Sequence, residues 1–380
     1  MSTGINAAPC MHELNRNPPL AKSALSEPQA DAATAPTGAV SLADKVAFLG
    51  QASAYPHPAP DVERKETHMS WVFLAGDKVY KLKKPVRFPY LDYSTLAKRE
   101  AACRAELTLN RRLAPQVYET VAPLTLTPQG LAIGGAGETV DWLVVMRRLD
   151  ESKTLEHALL SGALHPAQLD HVVDTLVTFY RRARPVFVTR ATLLRNWQDG
   201  LAYNKRVLLD ARLGLPAGLV RRIDRAQRRF LKMRAALIAD RVRKRSIVDG
   251  HGDLRPEHIW LDEPITIIDC LEFNAGLRAV DPFDEIANLC VECERLGGAW
   301  AGAHIRRRAI HALRDHLSEE LFTFYRCHRA SLRARLTIAH LLEPHPRTPE
   351  KWPRRAREYL GIAAADAVRL ERLLRTPTSR

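Results

Sequence analysis

SIVDGHGDLRPEHIWLDEPITIIDCLEFN, residues 246–274, contains two short apolar runs, Ile259–Leu261 and Ile265–Ile268, on either side of Asp262-Glu263-Pro264. Proline and acidic residues between β-branched runs are turn chemistry, so the stretch predicts a β-hairpin. In an antiparallel pair the start of one strand lies beside the end of the other. Asp253 sits in the loop before the first strand and Asp269 at the end of the second. The hairpin therefore predicts that two carboxylates distant in sequence converge on one spot.

Such a spot suits a metal-bound polyphosphate. Mg²⁺ takes hard oxygen ligands, commonly one or two carboxylates together with phosphate oxygens. Phosphoryl transfer needs a second carboxylate to orient and deprotonate the attacking hydroxyl. Either aspartate alone could simply cap a turn or a strand end. The conjunction of His251-Gly252-Asp253, the hairpin and an apolar run ending in Asp269 favours the chemical reading.

His251-Gly252-Asp253-Leu254 followed by Ile267-Ile268-Asp269 resembles the paired motifs of the aminoglycoside phosphotransferase-like family of the protein-kinase-like fold. Asp269-Cys270-Leu271-Glu272-Phe273-Asn274 and Glu106-Leu107-Thr108-Leu109-Asn110-Arg111-Arg112-Leu113-Ala114-Pro115 resemble the kinase-like part of the bifunctional aminoglycoside phosphotransferase/ATP-binding subgroup. The resemblance spans about residues 45 to 345 and is specific in those two blocks. It implies an α+β, two-lobed architecture: a small antiparallel-sheet lobe over 45–150 and a larger, mainly helical lobe over 151–380. It also implies an ATP-dependent phosphotransferase acting on a small-molecule hydroxyl, with ATP and Mg²⁺ or Mn²⁺ as cofactors.

The implied roles fall on particular residues. Asp253 is the expected catalytic base and Asp269 the expected metal ligand. In the family a strand lysine meets nucleotide phosphates. Ser70–Leu74 and Lys78–Lys83 flank Ala75-Gly76-Asp77, a hairpin signal, and alternation puts Val79, Lys81 and Lys83 on one face. Val79-Tyr80-Lys81 matches the family pattern best, so Lys81 is expected in that role, with Lys83 as alternate. Ser94–Leu113 reads as a helix with Leu96, Cys103, Leu107 and Asn110 on one face, Glu100 near its centre and Glu106 on its flank. Periodicity does not choose between the two glutamates as the lysine's partner; the resemblance favours Glu106. Val140–Leu149 reads as a strand entering the hinge between the lobes, where Met146 is expected to line the nucleotide pocket. Asp281, before Pro282, either braces the catalytic loop, meets substrate or caps a helix.

Two features depart from the pattern. No glycine-rich loop precedes Trp71, and Glu63–Ser70 holds no glycine. The fifth residue after Asp253, an asparagine metal ligand in the family, is His258. Imidazole is a poor ligand for Mg²⁺ but an acceptable one for Mn²⁺. His258 is therefore expected in an altered metal site, with Glu257 or Asn274 as a compensating oxygen. These departures also support a competing expectation, a pseudokinase that binds nucleotide without turnover. His251 is expected to bond backbone around its loop.

Composition sets the bounds. The 380-residue chain carries 57 Lys and Arg against 43 Asp and Glu, a formal charge of +14. That balance favours anionic partners; nucleic acid is a third and weaker reading, because Arg221–Arg234 and Arg241–Arg245 read as solvated helix faces. It also argues against a polycationic aminoglycoside as acceptor. No apolar run approaches the ~18 residues of a membrane span, and no basic-then-apolar leader opens the chain, so the expectation is a cytoplasmic protein with no membrane partner. The six cysteines, Cys10, Cys103, Cys270, Cys290, Cys293 and Cys327, have no zinc-finger spacing and are expected as buried thiols. No GxxxxGK[ST] occurs, which excludes a P-loop nucleotide site in these residues. Residues 1–44, rich in Pro, Ala, Ser and Thr, are expected to be a disordered tail. Beyond Leu155 helices are expected at Pro166–Arg184, Leu193–Leu209, Leu219–Asp240, Asp284–Leu296, Arg306–Leu336 and Pro353–Leu374.

Overall fold

Ser41 accepts the Asp44 amide while Asp44 reaches back to the Ser41 amide, and this capping box opens α1 (Leu42–Leu49). α1 starts ahead of the Lys45 boundary read from composition. The computed structural model describes residues 40–343, 346 and 348–375; most of the expected tail, with Cys10, lies outside the described residues.

The first lobe is built on an antiparallel six-stranded sheet. Its strands are β1 (Val62–Glu66), β2 (Ser70–Ala75), β3 (Lys78–Lys83), β4 (Tyr118–Thr127), β5 (Gly130–Ile133) and β6 (Glu138–Arg147), in the spatial order β1-β2-β3-β6-β4-β5. Alternation sorts β3 by face. Tyr80 and Leu82 pack with Phe73, Leu143 and Val145 beneath α1. Val79 and its neighbours on the opposite face meet α2 (Leu96–Asn110).

The face that α2 buries differs from the apolar one read by periodicity. Arg99, Ala102, Cys103, Glu106 and Asn110 are buried, and Glu106 lies within that face rather than on its flank. Hydrophobic spacing cannot anticipate a buried face whose charges are neutralised by partners elsewhere in the chain. Asp141 on β6 supplies one such partner: Arg99 donates to it twice, at 2.8 and 3.1 Å, and Lys45 once, at 2.8 Å. The aspartate ties α1 and α2 to the sheet.

The rest is helical apart from short strand pairs. α3 (Leu155–Ser161), α4 (Pro166–Arg182), α5 (Arg190–Leu208), α6 (Ala217–Arg243), α7 (Pro282–Arg295), α8 (Ala299–Leu313), α9 (Glu319–Ala339) and α10 (Lys351–Leu373) form the second lobe. Together the two lobes make the α+β, sheet-plus-helical architecture expected from the sequence. α7 runs through the core with apolar residues buried around its circumference, Cys290 and Cys293 among them as free thiols. The expected helix Arg306–Leu336 is two helices. Arg314 turns left-handed, at φ 53°, after α8, and Ser318 caps α9 ahead of Glu319 and Glu320. Ser-Glu-Glu is a helix-start signal that the apolar periodicity ran across. Arg241, expected on a solvated face, is buried against Asp281 and Asp315. The predicted hairpin is present: β8 (Ile259–Trp260) pairs with β9 (Thr266–Ile267), and before it β7 (Val248–Asp249) pairs with β10 (Ala279–Val280). Among the described residues no helix is long and apolar enough to cross a membrane.

The Asp141 junction carries a stability test. Asp141→Asn leaves Lys45 and Arg99 buried without a counter-charge, and its unfolding free energy should fall by about 3–5 kcal/mol in urea titration. An unchanged midpoint would mean that the two cations reach solvent or another partner.

Candidate active site in the interlobe cleft

The loop from Asp249 to Asp253 is fixed from behind. Gly252 has φ +90°, and a Cβ there would stand 2.9 Å from Leu271 Cδ1, so only glycine fits both the backbone and the space. Glu285 on α7 is fully buried and accepts the amides of both His251, at 3.1 Å, and Gly252. The Tyr180 hydroxyl donates to the same carboxylate at 3.0 Å. His251 uses both ring nitrogens: Nε2 donates to the Ile268 carbonyl at 2.9 Å, and Nδ1 accepts the Asp253 amide at 3.3 Å. A carbonyl can only accept, which sets the tautomer. His251 therefore ties the loop to the strand that ends at Asp269. Burial lowers its pKa to about 4.

Asp253 faces the cleft between guanidinium groups. Arg255 Nε lies 3.0 Å from Oδ2, and Arg333 on α9 lies 4.0 Å from Oδ1. Burial is the largest influence and would raise its pKa, but the charges of Arg255, His258 and Arg333 together outweigh it and hold the carboxyl below its ordinary value. His258 is buried beneath the loop. Its Nδ1 donates to the Asp253 carbonyl at 3.0 Å, and its Nε2 accepts from Arg255 at 2.9 Å and lies 3.6 Å from Asp269 Oδ2. Arginine cannot accept, so the Nε2 lone pair points toward Arg255.

Asp269 follows β9 in a left-handed conformation, φ 65°, which aspartate tolerates better than most residues. The first lobe holds its backbone: Tyr118 Oη accepts its amide at 3.4 Å, and Asn110 Oδ1 accepts the next amide, of Cys270, at 2.8 Å. Lys81 Nζ reaches Glu106 Oε1 at 2.8 Å and Asp269 Oδ1 at 3.2 Å. Lys83 Nζ reaches the other oxygen of the same glutamate, at 2.6 Å, and also Glu272, which Tyr93 supports. Lys81 loses hydration by burial, yet Asp269 and Glu106 more than compensate, and its pKa stands well above the ordinary lysine value. For Asp269 the order is reversed. The Lys81 charge is the largest influence and, against burial, holds the carboxyl far below the carboxylate range.

These groups meet in a cleft of about 920 Å³ between the lobes. Val72, Leu74, Val79, Val117, Met146, Leu149 and Ile268 make an apolar wall; Lys81, Asp253, Arg255, Glu257, Asp269 and Glu272 supply the polar floor. The turn Thr67–Ser70, where a glycine loop is missing, forms part of the roof. Of the residues singled out from sequence, Lys81, Met146, Asp253 and Asp269 line the cleft; Glu106 stands behind Lys81, and His258 behind Asp253. Glu100 instead pairs with Arg104 on the surface. Asp281 does not reach the cleft: it caps α7 through the Phe283 amide and binds Arg241 and Tyr325 in the core. Asn274, considered as a compensating ligand, spends its side chain capping the single turn Ala275–Arg278. Glu257 does not: its Oε1 accepts from Arg255, while Oε2 is buried without a hydrogen-bond partner among the described residues. Sequence reasoning gave no role to Glu272, Glu285, Arg255 or Arg333. Arg333 lies 80 residues beyond Asp253, on a helix with no recognisable motif, and nothing local announced it.

No protein-family model matches the chain. An uncharacterized protein of Mycobacterium tuberculosis and its Mycobacterium bovis counterpart are each 33% identical to it over 324 residues. The match takes in 82% of this chain and only 59% of each relative's length. Among solved structures, a choline/ethanolamine kinase family protein from Mesorhizobium loti is 16% identical at TM-score 0.49, covering 88% of this chain and 95% of that one. The GDP complex of aminoglycoside 2′-phosphotransferase-IIIa is 18% identical at TM-score 0.45, covering 82% and 94%. Choline kinase from Cryptosporidium parvum is 10% identical at TM-score 0.47, covering 87% and 96%.

The buried imidazoles predict acid sensitivity. His251 and His328 are both held near pKa 4 by burial, below the ~6.5 of an unfolded chain. Between those values the unfolded state binds more protons, so their contribution is present above pH ~6.5 and is lost as pH falls toward 4. His251→Gln should lose less stability between pH 7 and 4.5 than the parent, by about 2 kcal/mol in urea titrations. An identical pH dependence would mean that His251 already takes up protons in the native state.

Proposed function

We propose that the chain is an ATP-dependent phosphotransferase that moves the γ-phosphoryl group to a hydroxyl of a small molecule. One observation carries the reading: Lys81 bridges Glu106 and Asp269 at the edge of a cleft that Asp253 also lines. A helix glutamate, a strand lysine and two loop carboxylates with an apolar wall beside them form the set that phosphoryl transfer uses. Lobe 45–150 holds the nucleotide in this reading, Met146 and its neighbours lying against the base. Lobe 151–380 presents the acceptor.

Asp253 is ionised at neutral pH, so it accepts the proton of the acceptor hydroxyl as that oxygen bonds to the γ-phosphorus and the β–γ bridging P–O bond breaks. Lys81, released in part from Asp269, holds phosphate oxygens as a point charge. Glu106 keeps it on that side of the sheet. Asp269 would hold the divalent cation, and the unpartnered Glu257 oxygen fits the same hard-ligand set. When bound, the cation neutralises charge on the β and γ phosphates. His258 can join only if Arg255 gives up its Nε2, which favours Mn²⁺ over Mg²⁺. The net positive charge supports an uncharged or anionic acceptor over an aminoglycoside.

The test is a screen of hydroxyl acceptors with the purified chain, ATP and either metal. Asp253→Asn should lower transfer by about 10²–10⁴-fold while ATP with metal still raises the melting temperature. Absence of any nucleotide-dependent shift would reject the reading, and a shift without transfer to any acceptor would leave a binding module without turnover. His258→Asn should move the metal preference from Mn²⁺ toward Mg²⁺; an unchanged ratio would remove His258 from the site.

A further inference from the structure

Beside the turn that roofs the cleft, three donor groups from both lobes meet. His68 lies in the turn between β1 and β2, whose neighbours Thr67 and Met69 line the cleft roof. His340 opens the single helical turn His340–Leu342 after α9, and Glu343 follows it. His68 Nε2 stands 3.1 Å from His340 Nδ1 and 3.3 Å from Glu343 Oε1, and His340 Nδ1 stands 2.7 Å from the same oxygen. We propose that His68, His340 and Glu343 form a binding site for a Zn²⁺-class ion that fastens the β1–β2 turn to the end of α9.

The donor set selects the class of ion. Two imidazoles with one carboxylate suit zinc and its late first-row neighbours, whereas Mg²⁺ and Ca²⁺ prefer all-oxygen sets. The spacing agrees. Ligands at the usual zinc distances of ~2.0–2.1 Å in tetrahedral array are about 3.3 Å apart. Two of the three separations are within a few tenths of that value, and the third opens by a little more than half an ångström once an ion replaces the hydrogen bond. Three protein ligands leave a fourth position for water. The side chains of His68, His340 and Glu343 remain 49%, 31% and 30% exposed, which leaves a path for the ion.

The ligands are also held in place. The turn that carries His68 is locked by Thr67, whose amide and hydroxyl donate to the Ser70 carbonyl at 2.8 and 3.0 Å and whose hydroxyl accepts the Ser70 amide at 3.0 Å. The His340 ring stacks on Trp352 of α10, with centroids 4.3 Å apart and planes 25° apart, and also stacks with His68, with centroids 5.0 Å apart. Support of this kind orients metal-binding imidazoles. His68 and His340 are 272 residues apart in sequence, so ion binding cross-links the β1–β2 turn of one lobe to the end of α9 in the other. The site needs no nucleotide and stands whether or not the phosphotransferase reading holds.

Co²⁺ titration of the chelator-stripped full chain, followed by Zn²⁺ competition, tests the proposal. One equivalent of Co²⁺ should give tetrahedral visible absorption that Zn²⁺ displaces, and Zn²⁺ should raise the melting temperature. His68→Ala and His340→Ala should each abolish the absorption and weaken Zn²⁺ binding by about tenfold or more. Asp269→Asn should keep both, which separates this ion from any bound with nucleotide. Glu343→Gln, conservative in shape, should weaken binding with unchanged far-ultraviolet circular dichroism. No tetrahedral spectrum in the parent, or one that survives both histidine substitutions, would overturn the proposal.

Discussion

One buried carboxylate, that of Glu106, holds the candidate site in order. Its two oxygens face two ammonium groups from the same strand face, Lys81 and Lys83, and all three side chains have given up most of their water. Such a cluster is stable only while its charges are matched, because an unpaired buried charge costs several kcal/mol. Asp269 and Glu272 add carboxylates from the second lobe, so both ammonium groups are paired twice. The electrostatics that fix α2 against β3 thus also fix the loop after β9 against the sheet. The two lysines differ in consequence: Lys83 is sealed against Glu106, Glu272 and Tyr93, while Lys81 lies at the cleft edge with a partner, Asp269, that is half exposed.

A second frame stands behind the loop of Asp253. Glu285 gathers the amides of His251 and Gly252, His251 joins that loop to Ile268, and Arg112 donates to the carbonyls of Asp249 and Gly250. α7 supplies Glu285 and is itself pinned at its start by Asp281, Arg241 and Tyr325. Buried polar groups satisfied in this way define one conformation where apolar packing would allow several. Asp253 therefore rests on a rigid base while its own carboxyl stays open to the cleft between Arg255 and Arg333.

Legibility in the sequence followed the range of the interaction. The hairpin over 259–267, the strand face shared by Lys81 and Lys83, and the strands read at Ser70–Leu74, Lys78–Lys83 and Val140–Leu149 are set by alternation and turn residues within a few positions, whereas β1, a strand of charged residues, carried no such signal. Glu106 could be preferred to Glu100 only through a resemblance, since both are glutamates on one helix and differ in what lies opposite. The division of Arg306–Leu336 at Arg314 was missed because apolar spacing continues across it, although Ser318 carried the capping signal. Arg241 looked like a solvated cation because its partners, Asp281 and Asp315, are 40 and 74 residues away.

By itself the sequence determined the local events: which segments are strands or helices, which side chains share a face, and that two aspartates flank a hairpin. Those outcomes depend on backbone geometry and on neighbours close along the chain. The tertiary structure alone decided which charges are buried together, that His258 faces Arg255, that Asp281 serves a helix end rather than the cleft, and that His68 meets His340 across the lobes. Each of these depends on desolvation and on distances between remote segments, and no local pattern carries that information.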